Sequence, residues 1–120
     1  MTLPAPQRSD ILRFSAKVIH VPPPRGSGLI LPCWIWTGAK SRGAGNKDWY
    51  GSFWFSGKVI RAHRFSAFAF LGRLVARGNQ WDHLCERSLC TCPWHLEEVS
   101  GSINSHRRWY GRGLDLHPDP

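Results

Sequence analysis

Four residues constrain this chain more than any hydrophobic pattern does. Cys85, Cys90 and His95 follow one another at C-x4-C-x4-H, and Cys33 lies far upstream. Three cysteines and one histidine make a complete tetrahedral set for a structural zinc ion. A fold that uses them must bring residue 33 back against the loop around residues 85–95. Cys92 is a fifth candidate for four places. The set Cys33, Cys85, Cys90 and His95 is preferred, because ligation by Cys90 and Cys92 together would strain a loop turned by Pro93. The rival reading is that some of the cysteines are simply small buried hydrophobes.

At 120 residues the chain is one small domain with a modest core, and a metal staple is common near this size. Seven tryptophans and six phenylalanines supply bulky core pieces. Sixteen Lys and Arg against eight Asp and Glu leave a net charge of +8, which favours a polyanionic partner, most often nucleic acid. No stretch reaches the roughly 18 apolar residues of a membrane span. Met1 to Asp10 is polar and proline-bearing, without the apolar run of a secretory signal. The expected compartment is the cytoplasm, where reduced cysteines ligate metals rather than form disulfides.

The punctuation of the chain divides it into residues 1–32 (a tail, a short helix and a Pro/Gly linker), a domain over 33–110, and a tail over 111–120. Ser9 is expected to cap a helix carrying Ile11, Leu12, Phe14 and Val18. Pro22-Pro23-Pro24, Gly26 and Gly28 read as the linker. Cys33 to Thr37 reads as a buried strand, and Gly38 to Asp48 as a loop. Trp49–Phe55 and Lys58–Ala62, joined by Ser56-Gly57, read as a hairpin. Ala62 to Leu71 reads as a helix ending at Gly72. Gln80–Leu84 and Leu96–Val99 read as two strands around the Cys-rich loop. Ser100 is placed to cap a helix over Gly101–Trp109.

Asp82, His83 and Asn104 lie beside the zinc set without belonging to it. A carboxylate and an amide can hold a hard metal ion, and an imidazole can activate water. An ordinary imidazole titrates near 6.5, so it accepts a proton at neutral pH. The bland readings are a hydrogen-bonded strand histidine and a surface helix asparagine. His63 either faces this site or simply begins its helix.

At these residues the sequence resembles the HNH, or His-Me finger, endonucleases, in particular phage-type members and the zinc-bearing His-Cys box homing endonucleases. The resemblance spans about Cys33 to Arg108. It is carried in order by Cys33-Trp34-Ile35-Trp36-Thr37-Gly38, Tyr50-Gly51-Ser52-Phe53, Arg61-Ala62-His63-Arg64, Asp82-His83-Leu84-Cys85, Cys90 to Glu97, and Asn104. It implies a small α+β, zinc-stapled ββα-metal domain with an antiparallel hairpin. By resemblance His83 is the general base, and Asp82 and Asn104 hold one catalytic divalent ion. That ion is expected to be Mg²⁺, which accepts one or two protein oxygens and keeps waters. The implied reaction is hydrolysis of double-stranded DNA leaving a 5′ phosphate and a 3′ hydroxyl, in a homing or phage setting. Two positions depart from the family pattern: Cys92 stands where a loop-bracing Asn is usual, and Ile103 where an acidic residue is common. The alternative is therefore a zinc-stabilised DNA-binding module with an impaired nuclease site.

The hairpin is the expected DNA reader, because a two-stranded ribbon fits the major groove. Lys47, Ser52, Ser56, Lys58 and Arg61 supply its polar reach, the preceding loop adds Lys40 and Arg42 for phosphates, and Arg107 and Arg108 are placed to meet phosphate oxygens. The opposing reading is that Trp49, Phe53 and Phe55 make the hairpin core and the arginines a solvated helix face. Reading a symmetric target would require a homodimer, for which the N-terminal helix and the C-terminal tail are the candidates.

Overall fold

Local signals start and stop most of the elements. The computed structural model describes residues 3–42 and 48–110, apart from the side chains of 108–110. Helix α1 spans Arg8–Ser15. Its start is set by Asp10, whose carboxylate accepts the Gln7 backbone N–H at 2.8 Å, so Ser9 sits inside the first turn and does not cap it. Val18 leaves the expected helix and opens strand β1, Val18–Val21. The chain turns because Lys17 N–H bonds the Phe14 carbonyl at 3.0 Å, while the Lys17 carbonyl accepts Thr37 N–H at 2.7 Å. The expected linker is thus the connection between β1 and β2, Cys33–Trp36, which pair antiparallel from Val18–Trp36 to Val21–Cys33.

Strands β3 (Lys40–Ser41), β4 (Tyr50–Phe55) and β5 (Lys58–Arg61) form a second antiparallel sheet in that order. The β4–β5 turn has Ser56 at φ 53° and Gly57 at φ 80°, the two positive angles of a tight hairpin turn matched to strand twist. Helix α2, Ala62–Ser66, continues as a π turn over Ala67–Leu71 and stops at left-handed Gly72. Strands β6 (Asn79–His83) and β7 (Leu96–Ser100) pair antiparallel, joined by the Cys-rich loop and one 3₁₀ turn at Pro93–His95. Helix α3, Gly101–Tyr110, follows at once, its entry capped as expected by Ser100 Oγ, which accepts Ile103 N–H. The result is a small α+β domain of antiparallel hairpins. No helix among the described residues is long and apolar enough to cross a membrane.

The main core is aromatic and draws on the whole N-terminal half. Phe14, Trp36, Phe53, Phe55, Ala62 and Phe65 are buried together. Phe53 and Phe65 meet at 4.5 Å between ring centroids, and Phe14 lies 5.2 Å from both Trp36 and Phe65. α1 and β1 therefore share one core with the residues after 33. Alternation along β4 sends Gly51, Phe53 and Phe55 inward and Tyr50, Ser52 and Trp54 outward.

Trp36 can lie flat only because Gly51 has no side chain. A Cβ there would stand 2.5 Å from the indole and 2.8 Å from the Ala62 methyl. Both neighbours are buried, so neither can swing away. Gly51→Ala is expected to cost about 2 kcal/mol, the usual scale for overpacking, read as a lower urea midpoint at unchanged slope. An unchanged midpoint would mean that Trp36 has room to shift.

Candidate functional site

Strand β2 places the first metal-type ligand. Its second edge pairs with the Cys-rich loop: Trp36 N–H bonds the Leu89 carbonyl at 2.9 Å, and Thr91 N–H bonds the Trp34 carbonyl at 2.7 Å. The same Trp34 carbonyl accepts the Thr91 hydroxyl at 2.9 Å. These bonds hold Cys33 against the loop across a long sequence separation. Cys33, Cys85, Cys90 and His95 converge there, all buried, with their ligand atoms within 4.8 Å of one another.

The spacing fits a tetrahedral metal. Zinc–sulfur and zinc–nitrogen bonds of about 2.3 and 2.0 Å imply a sulfur–nitrogen edge of about 3.5 Å. His95 Nδ1 lies 3.5 Å from Cys33 Sγ and 3.6 Å from Cys90 Sγ. The other ring nitrogen, Nε2, lies 2.9 Å from the Leu31 carbonyl. A carbonyl only accepts, so Nε2 carries the proton and Nδ1 presents its lone pair to the cluster. A bond to the second nitrogen is how metal-binding histidines are normally oriented. Cys92 is buried beside the set but outside it. Its backbone N–H donates to Cys90 Sγ at 3.4 Å, which steadies a thiolate.

Proton affinity in the cluster is unevenly divided. Cys85 is lowered to about 5, first by its hydrogen bond with Cys90 and then by the Arg87 backbone, against the effect of burial. Cys90 is driven up by that same partnership and by burial. Burial also raises Cys33 and Cys92. The free cluster thus favours one shared thiolate, since several buried negative charges repel. A dication removes that conflict by neutralising the others. The cluster could hold a metal such as zinc.

A separate polar cleft of about 230 Å³ opens where β6, β4 and α3 meet. Asp82, His83, Asn104 and Arg107 all line it, together with Asp48, Tyr50, Trp81, Glu86 and Ser88. Asp82 and His83 come from the end of β6, paired with Glu97 and Leu96 of β7. Asn104 and Arg107 project from one face of α3, as residues three apart do. Asn104 Nδ2 donates to Gln80 Oε1. The His83 ring meets His63 at 4.8 Å between centroids and Tyr50 at 6.1 Å. His63 occupies the first turn of α2 and packs on the ring of the cleft histidine, outside the residues that line the cleft. Burial holds its pKa well below the usual imidazole range, helped by His83 and by Arg64 and Arg61.

Arg107 differs from expectation. Its Nη1 donates to Asp82 Oδ2 at 2.8 Å and to Glu97 Oε1 at 2.6 Å, so it faces two carboxylates within the protein. Both Arg107 and Asp82 are largely shielded, at 13% and 10% side-chain exposure. Removing one partner of such a pair strands the other charge. Arg107→Ala is expected to cost about 3 kcal/mol, and Arg107→Ala with Asp82→Asn to cost less than Arg107→Ala alone. Asp82→Asn alone closes the cycle, and a double-variant cost equal to the sum of the two single costs in urea would mean that the pair carries no coupling.

The other expected contacts spread along the hairpin. Ser52, Lys58 and Arg61 line a second groove, of about 460 Å³. Arg42 stacks on the Trp49 ring at 4.8 Å, and Arg61 on Tyr50 at 4.7 Å. Lys40 is exposed on β3. Lys47 and the Arg108 side chain lie outside the described residues, as does the 111–120 tail. Tyr50, Asp48, Glu86 and Glu97 were not among the expected site residues. Of these, Glu97 had a visible signal, since a charged residue opposite Asp82 follows from pairing the two strands. Comparison with protein-family models, with curated proteins and with solved structures gave no match to this chain.

Proposed function

We propose that this protein is a metal-dependent endonuclease acting on double-stranded DNA, with a zinc-stapled scaffold and a hydrolytic cleft. One observation carries the reading: Asp82 and His83 of β6 and Asn104 of α3 line a single polar cleft beside a Cys₃His cluster. In this reading the domain is of the ββα-metal type, β6 and β7 being its strands and α3 its helix. Zinc at Cys33, Cys85, Cys90 and His95 would lock the β6–β7 loop to β2 and so fix the strand that carries His83.

The cleft suits a hard cation as well. Asp82 offers a carboxylate and Asn104 an amide, the donor types that Mg²⁺ accepts beside its waters. A Mg²⁺ ion bound there would stabilise the negative charge that develops on the scissile phosphate and the leaving 3′ oxygen. His83 takes the proton from the attacking water. His63, kept neutral by burial, packs against the His83 ring without adding a competing charge. Arg107 holds Asp82 in place by its hydrogen bond and balances the carboxylate charge. Glu97 gives that arginine a second partner once a cation shares Asp82.

The test is conversion of supercoiled plasmid by purified protein with Mg²⁺ and with EDTA. Mg²⁺-dependent nicked or linear product supports the reading. A second reading, a DNA-binding module without cleavage, is favoured by the guanidinium already set against Asp82. It predicts salt-sensitive duplex binding with intact plasmid under every divalent ion.

A further inference from the structure

The outward face of the β4–β5 hairpin leaves two large apolar side chains in water. Trp54 is 58% exposed and Val59 is 63% exposed, and they stand directly opposite each other across the ribbon. Isolated exposed apolar residues are ordinary on protein surfaces. This pair is set apart by its surroundings. Directly opposite pairs share one face of a ribbon, so Trp54, Val59, Ser52 and Arg61 lie together. Lys58 closes the strand at the turn, and Arg64 follows in α2. The adjoining groove is lined by Ser41, Ser52, Lys58, Arg61 and Arg64 among its polar residues, with no carboxylate on its wall among the described residues. An aromatic blade between cations of one sign suits a partner that combines phosphates with flat apolar faces.

Base-edge reading is not what these two residues can do. Indole has one donor and no acceptor, and valine has neither, so they cannot match the hydrogen-bond code of a base pair. An apolar side chain inserted between base pairs unstacks the step and bends the duplex, and the bend lets flanking cations reach more phosphates. We propose that Trp54 and Val59 form a wedge that enters one base-pair step of duplex DNA while Lys58, Arg61 and Arg64 hold the phosphates beside it. This rests on the DNA reading above but requires no cleavage. Arg61 also stacks on Tyr50, a wall of the His83 cleft, so the wedge face adjoins the cleft. Preference then goes to easily unstacked pyrimidine–purine steps rather than to a sequence read base by base.

The experiment uses the full chain carrying His83→Ala, which retains the hairpin, and a short duplex of mixed sequence with a donor and an acceptor dye at its ends. The parent is expected to bind and to raise energy transfer by bending the duplex. Adding Trp54→Ala should weaken binding about tenfold, the scale of one stacked aromatic, and abolish the energy-transfer change at saturation. Trp54→Phe should restore part of both. Arg64→Ala should keep the bend and reduce the salt slope of binding by about one phosphate. Zinc content and circular dichroism should be the same in all variants, since Trp54 packs into no core. Bending by Trp54→Ala equal to the parent's would overturn the wedge and leave DNA binding standing. No duplex binding by the parent, or binding only to acidic protein surfaces, would overturn the wedge and the DNA reading together.

Discussion

Cys90→Ser is expected to empty the metal centre and unfold the domain, while Cys92→Ser should do neither. The two cysteines are separated by one residue and both are fully buried, yet only Cys90 belongs to the converging ligand set. Structural zinc sites in small peptides contribute about 10–16 kcal/mol of apparent binding energy. That is as large as the whole stability of a typical domain, about 5–15 kcal/mol. Near this chain length each kcal/mol moves the melting temperature by about 4 °C. Losing even 5 kcal/mol would lower it by about 20 °C. Cys90→Ser should therefore be purified, if at all, with little zinc and no cooperative melt. Cys92→Ser should retain one zinc per chain and melt within several degrees of the parent. Metal analysis and thermal scans on both variants decide the matter. Zinc lost from Cys92→Ser but kept by Cys90→Ser would show that the loop uses the other cysteine. Cooperative melting of the parent unchanged by a strong chelator would mean that metal is no staple here.

His83→Ala is expected to lower plasmid cleavage by about 10²–10⁴-fold, the usual loss on removing a general base, with duplex binding little changed. His83 lies at the end of β6, buried against His63 and Tyr50, so truncation also leaves a cavity. His83→Gln, which refills most of the space, should be as slow as His83→Ala but more stable. If His83→Gln cuts like the parent, the histidine is not the base. A parent that binds duplex DNA and never cuts it would favour the binding-module reading. Cys92, which stands where the HNH resemblance expects an asparagine, donates its backbone N–H to Cys90 Sγ, and Cys92→Asn would be the next variant to assay for cleavage.

Strong local chemistry was legible in the chain. Ser56-Gly57 signalled the hairpin because only certain residues accept two positive φ angles in sequence. Gly72 signalled the end of the helix for the same reason. Ser100 signalled the start of α3 through its hydroxyl. β1 was not legible: four residues between a helix and three prolines carry too little pattern to separate strand from helix. Its pairing is decided by β2, which lies outside any local window. β3 is two residues long and is defined only by β4.

The pool of candidate ligands and the pairing of a carboxylate with a histidine were determined by the sequence, because metal and acid–base chemistry depend on residue type and spacing. The tertiary structure decided which cysteine stands outside the cluster, since that depends on where β2 grips the loop. It also decided that Arg107 answers Asp82 and Glu97, that His63 packs on His83, and that Trp54 faces water while Phe53 and Phe55 fill the core. Each of these is a relation between elements far apart in the chain. Residue type states what a side chain is able to do, and only packing states which partner is within reach.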